Sequence, residues 1–189
     1  FSSGCKWITS EPMIVEDNNS WKDLSANGIT DLGMAFEELT SMLSRKKFLK
    51  SPSLSYAPVI FLMTDGYPTD NYKKGLEKLK NNNWYKYGMK IALGIGDYFD
   101  ESVLEEFTEN KELVVKAANS SQLAKLIKTI AVTSSQIASK SMTIVSDEEN
   151  ELDYEDVEGN KQKEMVKIVQ DTVSDDEFIE TLELEDGWD

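Results

Sequence analysis

Two residues of this 189-residue chain have the side chains of a hard-cation site. Thr30 lies in the run Gly-Ile-Thr-Asp-Leu-Gly-Met-Ala over residues 28–35, and Asp65 follows the apolar run Val-Ile-Phe-Leu-Met-Thr. A hydroxyl and a carboxylate supply the oxygen ligands that magnesium, manganese and calcium prefer. We therefore take Thr30 and Asp65 as candidate metal ligands, with Mg²⁺ as the first expectation and Mn²⁺ or Ca²⁺ as alternatives.

The residue types that are scarce here exclude several classes of site. The chain contains no histidine and a single cysteine, Cys5. A Ser-His-Asp triad, a Cys-His pair and a histidine-based zinc site are therefore excluded. A single cysteine cannot form an intramolecular disulfide, which fits a reducing compartment such as the cytoplasm.

The formal net charge of −15 is confined to the end of the chain. Residues 147–189 hold 18 acids and three lysines, whereas residues 1–146 hold 17 acids and 17 bases. Nucleic-acid binding needs a basic footprint, so we expect no nucleic-acid partner. No apolar stretch approaches the roughly 20 residues that span a bilayer, so we expect no membrane segment.

Alternating strands and helices must position the two candidate ligands. The apolar spacing predicts helices over residues 31–49, 71–82 and 120–139, a short helix after Asp100, strands over 57–64, 88–95 and 113–116, and a strand or hairpin within 5–15. This order predicts an α/β fold with a Rossmann-like, doubly wound, mostly parallel sheet. Asp65 would then lie at the carboxyl edge of the sheet, where open α/β sheets bind ligands.

The charge distribution predicts two regions. Residues 1–141 form the α/β domain. Residues 142–189 form an acidic tail that is largely disordered, apart from an amphipathic stretch at 165–169.

Each candidate ligand also has an ordinary structural role. Thr30 precedes a predicted helix and could be its N-cap, and Asp65 could open an Asp-Gly turn. The other acids near these loops are expected at turns and helix ends: Asp31 in a first helical turn, Asp70 and Asp100 as caps, and Asp97 in a turn.

Taken together, Gly-x-Thr-Asp-Leu-Gly-x-Ala and Thr-Asp-Gly-x-Pro-Thr-Asp, over residues 28–35 and 64–70, resemble the motifs of a von Willebrand factor A domain. The Pro-Thr-Asp extension and the closing run Ala-Val-Thr-Ser-Ser-Gln-Ile-Ala-Ser are similar to the bacterial TerY-like group, found near tellurite-resistance and stress genes. The resemblance covers residues 1–141. It implies that the first strand and first helix of the fold lie upstream of Phe1.

In that family a metal-ion-dependent adhesion site binds magnesium through an Asp-x-Ser-x-Ser motif of the first strand. A threonine and an aspartate from two later loops complete the site. By motif position, Thr30 matches the threonine and Asp65 the aspartate. Because Asp-x-Ser-x-Ser does not occur in this chain, we expect magnesium binding in the intact domain and weak or no binding here.

The resemblance implies a non-catalytic protein-binding module. The cation would bind a partner's acidic side chain, in a cytoplasmic bacterial complex linked to stress or tellurite resistance. The alternative is a magnesium-dependent phosphoryl-transfer or hydrolase enzyme that uses Asp65. Such chemistry needs a positive group for the transition state, and no lysine or arginine is placed by motif. A third possibility is that the acidic tail occupies the site in place of the partner.

Overall fold

A computed structural model describes residues 1–9, 11, 27–49, 58–140 and 154–175. Within these ranges the chain is a mixed α/β protein with an open, parallel, three-stranded sheet. Contacts divide the chain into two compact units. The first unit comprises Phe1–Tyr56 and Tyr67–Lys86, and the second comprises Ala57–Gly66 and Tyr87–Asp189.

The described residues of the first unit form the helices α1 (Leu32–Met42), α2 (Tyr72–Lys80) and α3 (Asn83–Lys86). Helices α1 and α2 pack against each other. Gly33 and Gly75 permit this close approach, because a Cβ atom on Gly75 would collide with the backbone carbonyl of Gly33. The apolar side chains buried in these two helices are Leu32, Phe36, Met42, Leu76 and Leu79.

Two predictions for the first unit are corrected. The helix predicted over residues 31–49 ends at Met42. The side-chain amide of Asn82 donates hydrogen bonds to the carbonyls of Thr40 and Leu43, at 3.3 and 3.0 Å, and so caps its last turn. No strand forms over residues 5–9, and residues 12–15 lie outside the described part of the chain. Trp7 instead packs edge-on against Phe48, with ring centroids 4.8 Å apart.

The second unit contains the sheet, whose strands are β1 (Val59–Thr64), β2 (Met89–Ile95) and β3 (Val114–Ala117). They lie in chain order and pair in parallel, which confirms the predicted parallel sheet. All seven residues of β2 are buried except the half-buried Ile95, as expected of the central strand. At the carboxyl edge Thr64 lies opposite Gly94, and Gly94 opposite Lys116.

The described residues of the second unit also form helices α4 (Glu101–Thr108), α5 (Ser120–Lys140) and α6 (Tyr154–Val173). Helices α5 and α6 cover one face of the sheet. The side chains buried together there are Met89, Ile91, Leu93, Leu113, Val115, Ala117, Leu126, Ile130, Ile137, Met165, Val166 and Val169. Lys90 is on the opposite face, where its ammonium group pairs with Glu109 at the end of α4.

Helix α6 lies within the segment that was predicted to be largely disordered. Residues 154–173 are helical, and Met165, Val166 and Val169 are buried in the core cluster. The predicted amphipathic stretch at 165–169 is therefore part of the folded second unit. Residues 142–153 and 176–189 lie outside the described part of the chain, and the predicted limit between residues 141 and 142 stays a prediction.

Candidate functional site

Thr30 lies in the loop that leads into α1, and its backbone anchors that loop. Its carbonyl oxygen accepts hydrogen bonds from the N–H groups of Leu32 and Thr69, at 2.9 and 2.8 Å. The residue is half-buried, and among the described residues its hydroxyl forms no hydrogen bond. The hydroxyl is thus not used by the fold around it.

The cap of α1 comes from Asp70. Its carboxylate accepts hydrogen bonds from the backbone N–H groups of Gly33 and Met34, at 2.8 and 3.0 Å. These groups belong to the first turn of the helix, where no intrahelical acceptor exists. The suggestion that Thr30 is the N-cap is therefore wrong. Asp70 was also expected to cap the helix that follows it, but the N-cap position of α2 is Asn71.

Asp31 connects the start of the chain with two loops of the first unit. Its carboxylate accepts a hydrogen bond of 2.7 Å from the N–H of Gly4 and one of 3.3 Å from the hydroxyl of Thr69. Its own N–H donates to the carbonyl of Ser2 at 3.0 Å. Asp31 is therefore not simply an acid of the first turn of α1, as expected. Its carboxylate connects the start of the chain to the loop that contains Thr69.

Asp65 follows β1 in the second unit, at the carboxyl edge predicted for it. The turn there is held by Thr64, whose buried hydroxyl donates to the carbonyl of Gly66 and accepts from its N–H, at 3.2 and 3.3 Å. Asp65 is exposed, and its carboxylate forms no hydrogen bond or ion pair with any described residue. The Asp-Gly turn therefore does not depend on the Asp65 side chain.

Lys116 is a charged residue of the carboxyl edge that the sequence reasoning missed. Its ammonium group pairs with the carboxylate of Asp97, the residue expected in a turn after β2. Both side chains are largely exposed, at 51% for Lys116 and 79% for Asp97. The period-two pattern of β3 could have placed Lys116 on the sheet, but only the register between strands places it at this edge.

The donor chemistry of Thr30 and Asp65 fits a hard cation. Each offers an oxygen that the surrounding fold does not use, and water commonly completes the coordination of magnesium. The described residues contain no group of three or more His, Cys, Asp or Glu side chains placed to hold a metal. Thr30 belongs to the first unit and Asp65 to the second, and their sharing of one ion stays a prediction.

Cys5, the single cysteine of the chain, is half-buried and lies in the first unit. Burial raises the pKa of its thiol. A raised pKa disfavours the thiolate, which is the reactive form in nucleophilic catalysis. Cys5 is therefore no candidate for an activated nucleophile.

Comparison with protein-family models, curated proteins and solved structures gave no match to this chain. The resemblance to von Willebrand factor A domains consequently rests on the two motifs. The absence of a nucleic-acid partner and the cytoplasmic location also stay predictions. Among the described residues, no helix is both long enough and apolar enough to cross a membrane.

Proposed function

We propose that this chain is a non-catalytic protein-binding module with the doubly wound, Rossmann-like fold of a von Willebrand factor A domain. A divalent cation, Mg²⁺ in the first place and Mn²⁺ or Ca²⁺ as alternatives, would bind the Thr30 hydroxyl and the Asp65 carboxylate. An acidic side chain of a protein partner would fill an open coordination position. The cation would then join two oxygen-bearing surfaces, and no substrate would be converted.

One observation carries this proposal: the Asp65 carboxylate is exposed at the carboxyl end of β1 and has no partner among the described residues. The turn that could have explained Asp65 is held by Thr64 instead. Thr30 supports the proposal in the same way, because Asp70 caps α1 in its place. Both oxygen donors are thus left for a ligand.

The biological setting follows from the motifs alone. Resemblance to the TerY-like group supports a cytoplasmic bacterial complex linked to stress or tellurite resistance. The family's Asp-x-Ser-x-Ser motif does not occur in this chain. We therefore propose that this chain binds the cation weakly, with water supplying the remaining ligands.

A magnesium-dependent phosphoryl-transfer or hydrolase enzyme is the second candidate. Lys116 favours it, because this lysine lies at the same edge as Asp65 and is the type of positive group that such chemistry requires. The pairing of Lys116 with Asp97 weakens this argument, since the ammonium charge is partly compensated. Release of phosphate from a nucleotide that is lost in Asp65→Ala would favour the enzyme over the binding module.

Binding to this chain is expected to be weak, because the Asp-x-Ser-x-Ser ligands do not occur in it. The binding proposal is therefore tested by titration calorimetry of the full chain at Mg²⁺ concentrations high enough to measure weak binding. Asp65→Ala and Thr30→Ala should each weaken binding about tenfold, or about 1.4 kcal/mol, because each removes one ligand. Asp97→Ala is the matched control, since it removes an exposed carboxylate from the same edge, and it should bind like the parent. The assignment fails if both ligand variants bind magnesium as the parent does.

A further inference from the structure

A second charged position lies on the same sheet edge as Asp65. In the parallel register Thr64 lies opposite Gly94, and Gly94 lies opposite Lys116. Neighbouring strands are about 4.8 Å apart, so Lys116 lies about 10 Å from Thr64 along the edge. Residues in register share a face of the sheet. Asp65, just beyond the end of β1, is exposed, and the side chain of Lys116 is 51% exposed, so one extended ligand can reach both.

An aromatic ring covers the β2 residue that lies in register between Thr64 and Lys116. Gly94 carries no side chain there, and the ring of Phe99 occupies the place where its Cβ atom would be. Tyr98, the preceding residue, is 79% exposed. Aromatic side chains next to charged ones are typical of surfaces that bind peptides, because they offer contact area at a low cost in conformational entropy.

Lys116 can exchange its ion-pair partner Asp97 for another carboxylate at little cost in free energy. The Lys116–Asp97 pair is exposed on both sides, and exposed ion pairs contribute little to stability. A carboxylate from a bound protein can replace Asp97 with a similar electrostatic gain. Asp97 then acts as an internal competitor for the Lys116 ammonium group.

We propose that Lys116 is a second subsite, which binds a second carboxylate of the acidic partner segment. This inference rests on the proposed function, since the first carboxylate is held by the cation at Asp65. Residues three positions apart in a polyproline II segment share a side and lie about 9 Å apart. The partner is therefore a segment with two acidic residues at positions i and i+3.

The test uses two synthetic peptides and the full chain in saturating Mg²⁺. One peptide carries two glutamates three positions apart in a glycine and serine background, and in the other the second glutamate is glutamine. Lys116→Gln should weaken binding of the first peptide about fivefold and leave the second unchanged. Asp97→Asn should strengthen binding of the first peptide about twofold, because it removes the competitor. Lys128→Gln is the charge-matched control on α5 and should change neither.

The outcomes distinguish the subsite from the metal site. If Lys116→Gln binds both peptides like the parent while Asp65→Ala loses its magnesium response, the subsite is wrong and the proposed function stands. Equal weakening of both peptides by Lys116→Gln also overturns the subsite, because it indicates general electrostatic attraction. If Asp65→Ala binds magnesium and both peptides like the parent, both proposals are overturned.

Discussion

The carboxylate of Asp70 accepts a hydrogen bond of 2.8 Å from the backbone N–H of Gly33, which lies 37 residues earlier in the chain. A second bond from Met34 completes the cap of α1. Residues 64–70 and 28–35 were recognised as separate sequence motifs. Asp70 of one motif accepts a hydrogen bond from Gly33 of the other. Part of each motif therefore holds the first unit together rather than binding a ligand.

Replacing Asp70 with alanine should destabilise the first unit. The N–H groups of Gly33 and Met34 would lose their acceptor, and loss of a helix cap costs about 1–2 kcal/mol. Urea unfolding followed by circular dichroism measures this change. Thr30→Ala is the control, since its hydroxyl is not used by the fold, and it should unfold like the parent. A larger loss in Thr30→Ala than in Asp70→Ala would contradict the assigned cap.

Removing Glu109 should destabilise the protein more than removing its partner Lys90. The Lys90 side chain is 4% exposed, and its ammonium group lies 2.8 Å from the Glu109 carboxylate. Glu109→Ala should lower the free energy of unfolding by about 1–3 kcal/mol, because it leaves a buried charge without this carboxylate. Lys90→Met removes the charge itself and should cost less than about 1 kcal/mol. Chemical denaturation of both variants checks the order, and the reverse order would contradict the explanation.

Met165 tests whether α6 is part of the folded second unit. Its side chain is fully buried in the core cluster, so Met165→Ala should cost about 2–4 kcal/mol. Lys163→Ala, a surface change on the same helix, should stay within about 0.5 kcal/mol. Thermal or urea unfolding measures both. A Met165→Ala variant as stable as the parent would mean that α6 is dispensable for the unit.

Cys5 should react slowly and with a shifted pH profile. Burial raises the pKa of its thiol, so the folded state favours the neutral form. The resulting contribution to stability is present below the unfolded pKa and is lost as the pH rises through the folded pKa. Alkylation of the native chain should therefore require a higher pH than alkylation in urea. Identical pH profiles in the two states would contradict this.

The positions of the strands along the chain could be predicted because the apolar runs that form them are local in sequence. The apolar run over 59–64 and the run Met89–Ile95 are short, continuous and bounded by turn residues, which is typical of buried parallel strands. The capping of α1 by Asp70 could not be predicted in this way. It depends on a contact between distant parts of the chain, whereas a sequence pattern offers only the residue next to the helix.

The same reason explains the differences at α6 and Lys116. The high acid content around residues 154–173 predicts disorder, but the apolar positions Met165, Val166 and Val169 are covered by residues far away in sequence. Lys116 is placed at the same carboxyl edge as Asp65 only through the strand register. The folding of α6 and the position of Lys116 thus depend on tertiary contacts, which composition and periodicity do not reveal.

The central claim is that Thr30 and Asp65 bind one cation, and paramagnetic broadening by Mn²⁺ tests it most directly. Amide NMR signals of the full chain are recorded during addition of substoichiometric Mn²⁺, followed by excess Mg²⁺. We expect the signals of Thr30 and Asp65 to broaden together, Mg²⁺ to restore both, and Asp65→Ala to abolish the effect at Thr30. Broadening confined to the acidic residues of 147–189, with Thr30 and Asp65 unchanged, would contradict it.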